Sequence, residues 1–141
     1  MMGSKKKQVG IIPYLINKSG KIKYVLVTPK YSKNYWIFPK GNIEKKLGPQ
    51  KSAAEEAYEE AGLKGIIKSK LKIQYRYEKF ATEYKVDLYL MKVKEVLESW
   101  DEQDERKRFI ATPEQVEEMI TDKSILKAFR KAHKIVSKSK K

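Results

Sequence analysis

GNIEKKLGPQKSAAEEAYEEAGL, Gly41 to Leu63, is the stretch on which the reading of this chain turns. Its second half has the period of a helix. At about 100° per residue, Ala53, Ala54, Ala57, Tyr58 and Ala61 gather on one side, and Glu55, Glu56, Glu59 and Glu60 on the other. No Lys or Arg interrupts the glutamates, and like charges one turn apart cost a helix about 0.2–0.5 kcal/mol per pair. A solvated face carries such charge without further purpose. A divalent cation would remove the repulsion. Carboxylate oxygens with water suit Mg²⁺ or Mn²⁺, and Mg²⁺ commonly bridges to substrate phosphates. Gly62 follows the last glutamate, as a helix C-cap does. The apolar run Tyr35 to Phe38, then Pro39-Lys40-Gly41, comes before. The expected unit is therefore strand, tight glycine turn, loop and acidic helix.

Upstream, Val9 to Ile16 is apolar and of strand length, with Pro13 suggesting an edge position or a bulge. Asn17 to Gly20 reads as a turn, Lys21 to Thr28 as the returning strand, and Met1 to Lys7 as a loose basic terminus. Downstream, Leu63 to Leu71 reads as a bridging segment. Lys72 to Phe80 and Tyr84 to Val93 alternate as two strands of a hairpin. Asp101 to Arg108 is a charge-dense loop, and Phe109-Ile110 a short apolar stop. Thr112 before Pro113 predicts an N-cap and a helix to Ile120. A last helix, capped by Asp122 or Ser124, runs to about Val136 with apolar Ile125, Leu126, Phe129, Ala132 and Val136 at helical spacing. A basic tail, residues 137–141, follows. His133, the one histidine, lies on that helix far from the acidic stretch and is expected to be structural.

A length of 141 residues predicts one domain, residues 1–141, and the succession of strands and helices an α/β class. The formal net charge of +14 favours polyanions such as phosphates, nucleotides or RNA, although a basic surface also serves solubility alone. The absence of cysteine excludes disulfides and thiol catalysis. No run approaches the ~18 apolar residues of a membrane span, and no apolar stretch of signal-peptide length follows the N-terminal lysines. A cytoplasmic protein without membrane contact is the default expectation.

The central stretch resembles the Nudix box, G-x5-E-x7-R-E-U-x-E-E-x-G-U, in which U is aliphatic. Gly41, Glu56, Ala57, Glu59, Glu60, Gly62 and Leu63 match it in register. Leu47 stands where the first Glu is expected, and Glu55 where the Arg is expected. In the family that Arg pairs with and orients the glutamates. The resemblance continues through Val96-Leu97-Glu98-Ser99-Trp100, the acidic loop Asp101 to Glu105, the basic-aromatic Arg106 to Phe109 and the helix from Pro113. There it is nearest the diphosphoinositol polyphosphate and diadenosine polyphosphate phosphohydrolases.

The resemblance implies the Nudix fold, a mixed β-sheet sandwiched between α-helices. It implies a hydrolase that needs Mg²⁺ or Mn²⁺ and cleaves a diphosphate linkage in a highly phosphorylated small molecule. Removal of pyrophosphate from RNA 5′ ends, or a catalytically silent nucleotide- or RNA-binding module, are the alternatives. By the same resemblance Glu56 and Glu60 ligate metal, Glu59 is a further ligand or the base, and the Gly41 carbonyl is a ligand. A late loop acid, Glu105 or Glu102, is a rival general base. Lys40, Lys6, Lys7, Lys30 and Arg76 are candidate phosphate contacts, with Lys33, Lys79, Arg106, Lys107 and Arg108 also available. Glu55 is either a lost Arg position or half of a capping box with Ser52, with Pro49 as the rival helix start. The tyrosines and Trp36 and Trp100 are expected mainly in the core, with one able to stack on a nucleobase.

Overall fold

The apolar run Val9–Ile16 belongs to a longer strand, β1 (Ser4–Ile16), in a computed structural model that describes residues 3–139. The other strands are β2 (Ile22–Val27), β3 (Lys40–Asn42), β4 (Leu63–Lys79), β5 (Thr82–Val96) and β6 (Arg108–Ala111). They form one six-stranded sheet of order β4-β5-β1-β2-β6, with β3 paired to β1. β1 runs parallel to β5 and antiparallel to β2 and β3, so the sheet is mixed. A strand covered on both faces reads as a continuous apolar run. Val9, Ile11 and Ile12 are accordingly fully buried.

Pro13 is therefore in a central strand, not at the edge its lack of an N–H suggested. Along one side β1 pairs with β3 at Gln8 to Gly10 and with β2 at Tyr14 to Ile16. Pro13 falls between these two ladders, where no donor is required on that side.

Three helices cover the sheet: α1 (Gly48–Ala61), α2 (Pro113–Met119) and α3 (Lys123–Ser139). α1 packs on β1, β3 and β4, α2 on β2 and β6, and α3 on β4. Phe129 of α3 meets Tyr24 of β2 edge-on at 4.8 Å and Phe38 at 6.3 Å. Burying one such aromatic stabilises the fold by about 1.5–3 kcal/mol. His133 is structural, its Nδ1 lying 2.7 Å from the Tyr24 hydroxyl. Thr112 caps α2 in a reciprocal box with Gln115, and the Asp122 carboxylate accepts from the Ser124 and Ile125 amides at the start of α3.

Several sequence expectations change. Residues 4–7 are not loose, because they pair in register with Thr82 to Lys85 of β5. Residues 137–139 continue α3, and Lys140 and Lys141 lie outside the described residues. Tyr35 to Phe38 makes only a single bridge, Ile37 to Val27, and the strand is instead the Lys40–Asn42 segment expected to turn. Leu63 to Leu71 is not a bridge but the first half of β4. The hairpin forms with a tighter turn, Phe80-Ala81, both at positive φ. Phe109-Ile110 is part of strand β6. Among the described residues no helix is long and apolar enough to cross a membrane.

Candidate active site

α1 starts at the rival position. Pro49 occupies its first turn, and Ser52 is buried inside the helix. The Ser52 hydroxyl accepts the Glu44 amide at 2.9 Å, which ties the preceding loop to the helix. The Ser52–Glu55 capping box is therefore absent, and Glu55 is exposed. Gly62 ends the helix at φ 65°, and its N–H reaches the Ala57 and Tyr58 carbonyls. An L side chain there would also strike the Trp100 Cβ at 2.9 Å.

The segment after β5 locks this helix end. Leu97 donates to the Gly62 carbonyl at 2.8 Å, and the Glu102 amide to the Glu59 carbonyl at 3.1 Å. Arg108 Nη1 donates to the Ala61 and Leu97 carbonyls, 2.8 Å each, and its guanidinium lies 4.0 Å from the Trp100 ring centre. Carbonyls at a helix C-terminus lack intrahelical donors, and a cation there also meets the negative end of the helix dipole. Arg108, a phosphate candidate by sequence, thus serves the helix end.

The glutamates do not share one solvated face. On the opposite side Ala53, Ala57 and Ala61 are fully buried while Tyr58 is exposed, and of the glutamates Glu60 is only 3% exposed. Glu56 is half-buried beside it, and the two carboxyls are hydrogen-bonded to each other. Burial, then the neighbouring Glu56, pushes Glu60 up to about 9, and burial also raises Glu56. Two carboxyls so placed hold one proton between them. The Lys40 amide approaches Glu60 Oε1 at 3.4 Å. Gly41 of β3 lies directly against the Glu56 carboxylate, where any Cβ would collide with it. Glu59, half-buried, is pushed up to about 7, first by desolvation and then by its hydrogen bond to Glu55.

Arg106 lies across the mouth of this pair. Its Nη2 is 3.4 Å from Glu60 Oε2, its Nε 2.7 Å from Glu102 Oε1, and its Nη1 donates to the Thr28 carbonyl at 3.0 Å. In sequence Arg106 is one of several basic residues able to contact phosphate, with nothing to single it out. Its partners on α1 and β2 are remote in the chain, so no local spacing could have found them. Of the two rival loop acids, Glu102 reaches the glutamates through Arg106, whereas Glu105 pairs with Lys30 at 3.1 Å in the open.

A cleft of about 390 Å³ opens beside Glu60, and a second of about 370 Å³ adjoins it, sharing Tyr35, Lys40 and Lys79. The first is lined by Lys30, Tyr31, Tyr35, Lys40, Glu60, Lys79 and Arg106, and the second brings in Tyr75, Tyr77 and the start of α3. Lys40 Nζ is 3.1 Å from the Tyr77 hydroxyl, and burial lowers its pKa. Among the described residues the buried Tyr75 hydroxyl has no hydrogen-bond partner. Lys6 and Lys7 are exposed on β1, away from these linings. Arg76 is bound to Glu83 at 3.2 Å and does not line either cleft. Leu47 and Glu55, the two departures from the box, line a separate cleft of about 380 Å³ on the outer side of α1.

The donor set suits a hard cation. Among the described residues, no three acidic or histidine side chains converge as a ready-made metal cage. Mg²⁺ does not need one, since it is commonly held by one or two carboxylates, several waters and substrate phosphate. Glu56 and Glu60 are a carboxylate pair of that size, with Gly41 packed against Glu56 and Glu59 on the same helix.

The raised carboxyls have a consequence for stability. A group whose folded pKa exceeds its unfolded value stabilises the fold at low pH and loses that contribution as pH rises through the folded value. The metal-free protein is therefore expected to lose stability as pH rises from about 4.5, the ordinary carboxylate value, to about 9. A divalent ion bound at these carboxyls would take the place of the proton, so saturating Mg²⁺ would then flatten the loss. Urea midpoints at several pH values, with chelator and with Mg²⁺, check this. A midpoint that rises over the interval in chelator would contradict it.

Fold and site together define an α/β domain that presents a carboxylate-bearing helix beside a cationic, tyrosine-lined cleft. The chain belongs to the NUDIX domain family, whose model matches residues 5–130. It is 35% identical over 78 residues to diphosphoinositol polyphosphate phosphohydrolase 2 of Rattus norvegicus, covering 55% of this chain and 42% of that protein. It is also 35% identical over 109 residues to the mitochondrial Nudix hydrolase 16 of Arabidopsis thaliana, covering 72% of this chain and 61% of that one. The chain thus spans about half the length of these curated relatives. A C. elegans Ap4A hydrolase in a binary complex has the same fold, with a TM-score of 0.80 at 20% identity over 94% of this chain and 98% of that one.

Proposed function

We propose that this chain is a divalent-metal-dependent hydrolase that cleaves a diphosphate linkage in a highly phosphorylated small molecule, of dinucleoside polyphosphate type. The observation that carries this reading is the cleft beside Glu60, where Lys30, Lys40, Lys79 and Arg106 stand with Tyr31 and Tyr35. Lysines suit the phosphates of any polyphosphate. Exposed tyrosine rings add a stacking surface, which a nucleobase uses and an inositol ring does not. The relatives named for diphosphoinositol polyphosphates support the coarser class, a phosphate-rich small molecule.

Nudix hydrolases generally use divalent ions, which neutralise phosphate oxygens and lower the pKa of bound water. Glu56, Glu60 and the Gly41 carbonyl would hold the ion in this reading. Glu59, with an affinity near neutral pH, takes the proton of the attacking water as its oxygen bonds to phosphorus and the bridging P–O bond breaks. Lys40, Lys30 and Lys79 bind the remaining phosphates. Glu105 has no role in this scheme, because Lys30 already holds it outside the glutamate cluster.

The test is Mg²⁺-dependent phosphate release from a panel: a dinucleoside tetraphosphate, a diphosphoinositol polyphosphate and a 5′-triphosphorylated RNA. Preferential turnover of the first is expected. Binding across the panel with no turnover would favour a silent module. Tyr35→Ala sharpens the choice, since Tyr35 is 46% exposed and lines both clefts. Its loss should raise KM for the dinucleoside substrate about 10-fold, for one stacking partner worth ~1–3 kcal/mol, and leave an inositol substrate unaffected. An equal rise for both would count against base stacking.

A further inference from the structure

We propose that Arg106 is the positioning residue for the α1 glutamates, performing from the loop before β6 the task that the family motif gives to the arginine replaced here by Glu55. The proposal rests on the reading of the Glu56–Glu60 pair as the metal site.

The geometry has three parts. Glu60 is buried, and a buried carboxylate requires a paired or hydrogen-bonding partner. Position 55 cannot supply a cation, because Glu55 is acidic, exposed and turned to Glu59 and the outer cleft. Among the described residues Arg106 is the cation in a salt bridge with Glu60, and its side chain is only 10% exposed.

Arg106 is also held where it stands. The guanidinium is a planar fork whose N–H groups point in fixed directions. Here the directions are divided among Glu60, Glu102 and the Thr28 carbonyl. The Arg106 amide donates to the Glu102 carbonyl at 3.0 Å, and the Glu102 amide to the Glu59 carbonyl at 3.1 Å. On the other side, Thr28 is fully buried, and its hydroxyl accepts the Lys107 amide at 2.9 Å. A fork fixed to the helix end and to the end of β2 allows Glu60 one orientation, and Glu60 in turn is bonded to Glu56. The replacement at position 55 is then a relocation of the cation from helix to loop.

Two other roles predict different outcomes. If Arg106 were chiefly a substrate contact, its loss would raise KM and spare kcat. If it were only a cation near the site, its loss would strengthen Mg²⁺ binding, since like charges repel. The experiment compares wild type, Arg106→Gln and Arg106→Lys by calorimetric Mg²⁺ titration at pH 7, by kcat and KM on the best panel substrate, and by circular dichroism. Arg106→Gln should bind Mg²⁺ about 10-fold more weakly and lose about 100-fold in kcat, with KM within about 3-fold. These sizes follow from second-shell losses of ~10–100-fold and from ~1 Å misplacements of reacting groups. Arg106→Lys keeps the charge without the fork and should fall between the two, which leaves a reading if the Gln variant fails to fold.

Unchanged or tighter Mg²⁺ binding by folded Arg106→Gln, or by folded Arg106→Lys if the Gln variant does not fold, overturns the proposal. So does a change confined to KM. The titration needs no substrate, so an error in the substrate class leaves it decisive. A wild type that binds neither Mg²⁺ nor Mn²⁺ overturns the site reading and this proposal with it.

Discussion

Glu56→Gln and Glu60→Gln should each lower metal-dependent turnover by about 10³-fold while the fold persists. The amide keeps the size of a carboxyl and loses its charge, and Mg²⁺ held by one or two carboxylates tolerates that poorly. Several kcal/mol of charge stabilisation depend on the ion, and each 1.36 kcal/mol is about tenfold in rate. Stability is expected to move the other way. Burial pushes Glu60 up to about 9, so a permanently neutral side chain suits the metal-free protein. Glu60→Gln should therefore remove much of the alkaline decline in urea midpoint described above. Near-native turnover at limiting Mg²⁺ in both variants would show that the metal site lies elsewhere.

Gly41→Ala carries the second large effect, and it acts on geometry alone. Gly41 pairs with Val9 in β3 and has no positive φ, so alanine suits its backbone. The added methyl, however, would occupy the space of the Glu56 carboxylate. The carboxylate is the far end of a flexible side chain, so it can move aside at little cost to folding. A displacement of ~1 Å at a reacting group can cost about 10²-fold in rate, and that is the loss expected here. Circular dichroism should be unchanged and Mg²⁺ affinity reduced. A Gly41→Ala protein that turns over like wild type would mean that Glu56 does not need its present position.

Much of this molecule was legible in the chain itself. The helical period of residues 53–61, the terminal Gly62 and the Thr112-Pro113 start of α2 rest on local rules, and each element formed as those rules require. The family followed from the register of Gly41, Glu56, Glu59, Glu60 and Gly62, because a fixed spacing on one strand-loop-helix unit survives in sequence. The failures were also physical. Pro13 pointed to an edge because local reasoning could not see that two partner strands take turns along β1. The bridging segment before Lys72 proved to be strand because β5 extends far enough to pair with it.

The site divides in the same way. Sequence alone determined which carboxylates lie one turn apart on α1 and that a glycine precedes them by the family spacing. Only the tertiary structure decided that Glu60 is buried while Glu55 is exposed, since helical period assigns a side but not what covers it. It also separated Glu102 from Glu105, which look equivalent in a run of charges, by giving one to Arg106 and the other to Lys30. Arg106 itself comes to Glu60 from a distant part of the chain through the pairing of β6 with β2. A contact made by strand pairing has no fixed spacing to read, so the cation that the box lacks becomes visible only once the sheet has formed.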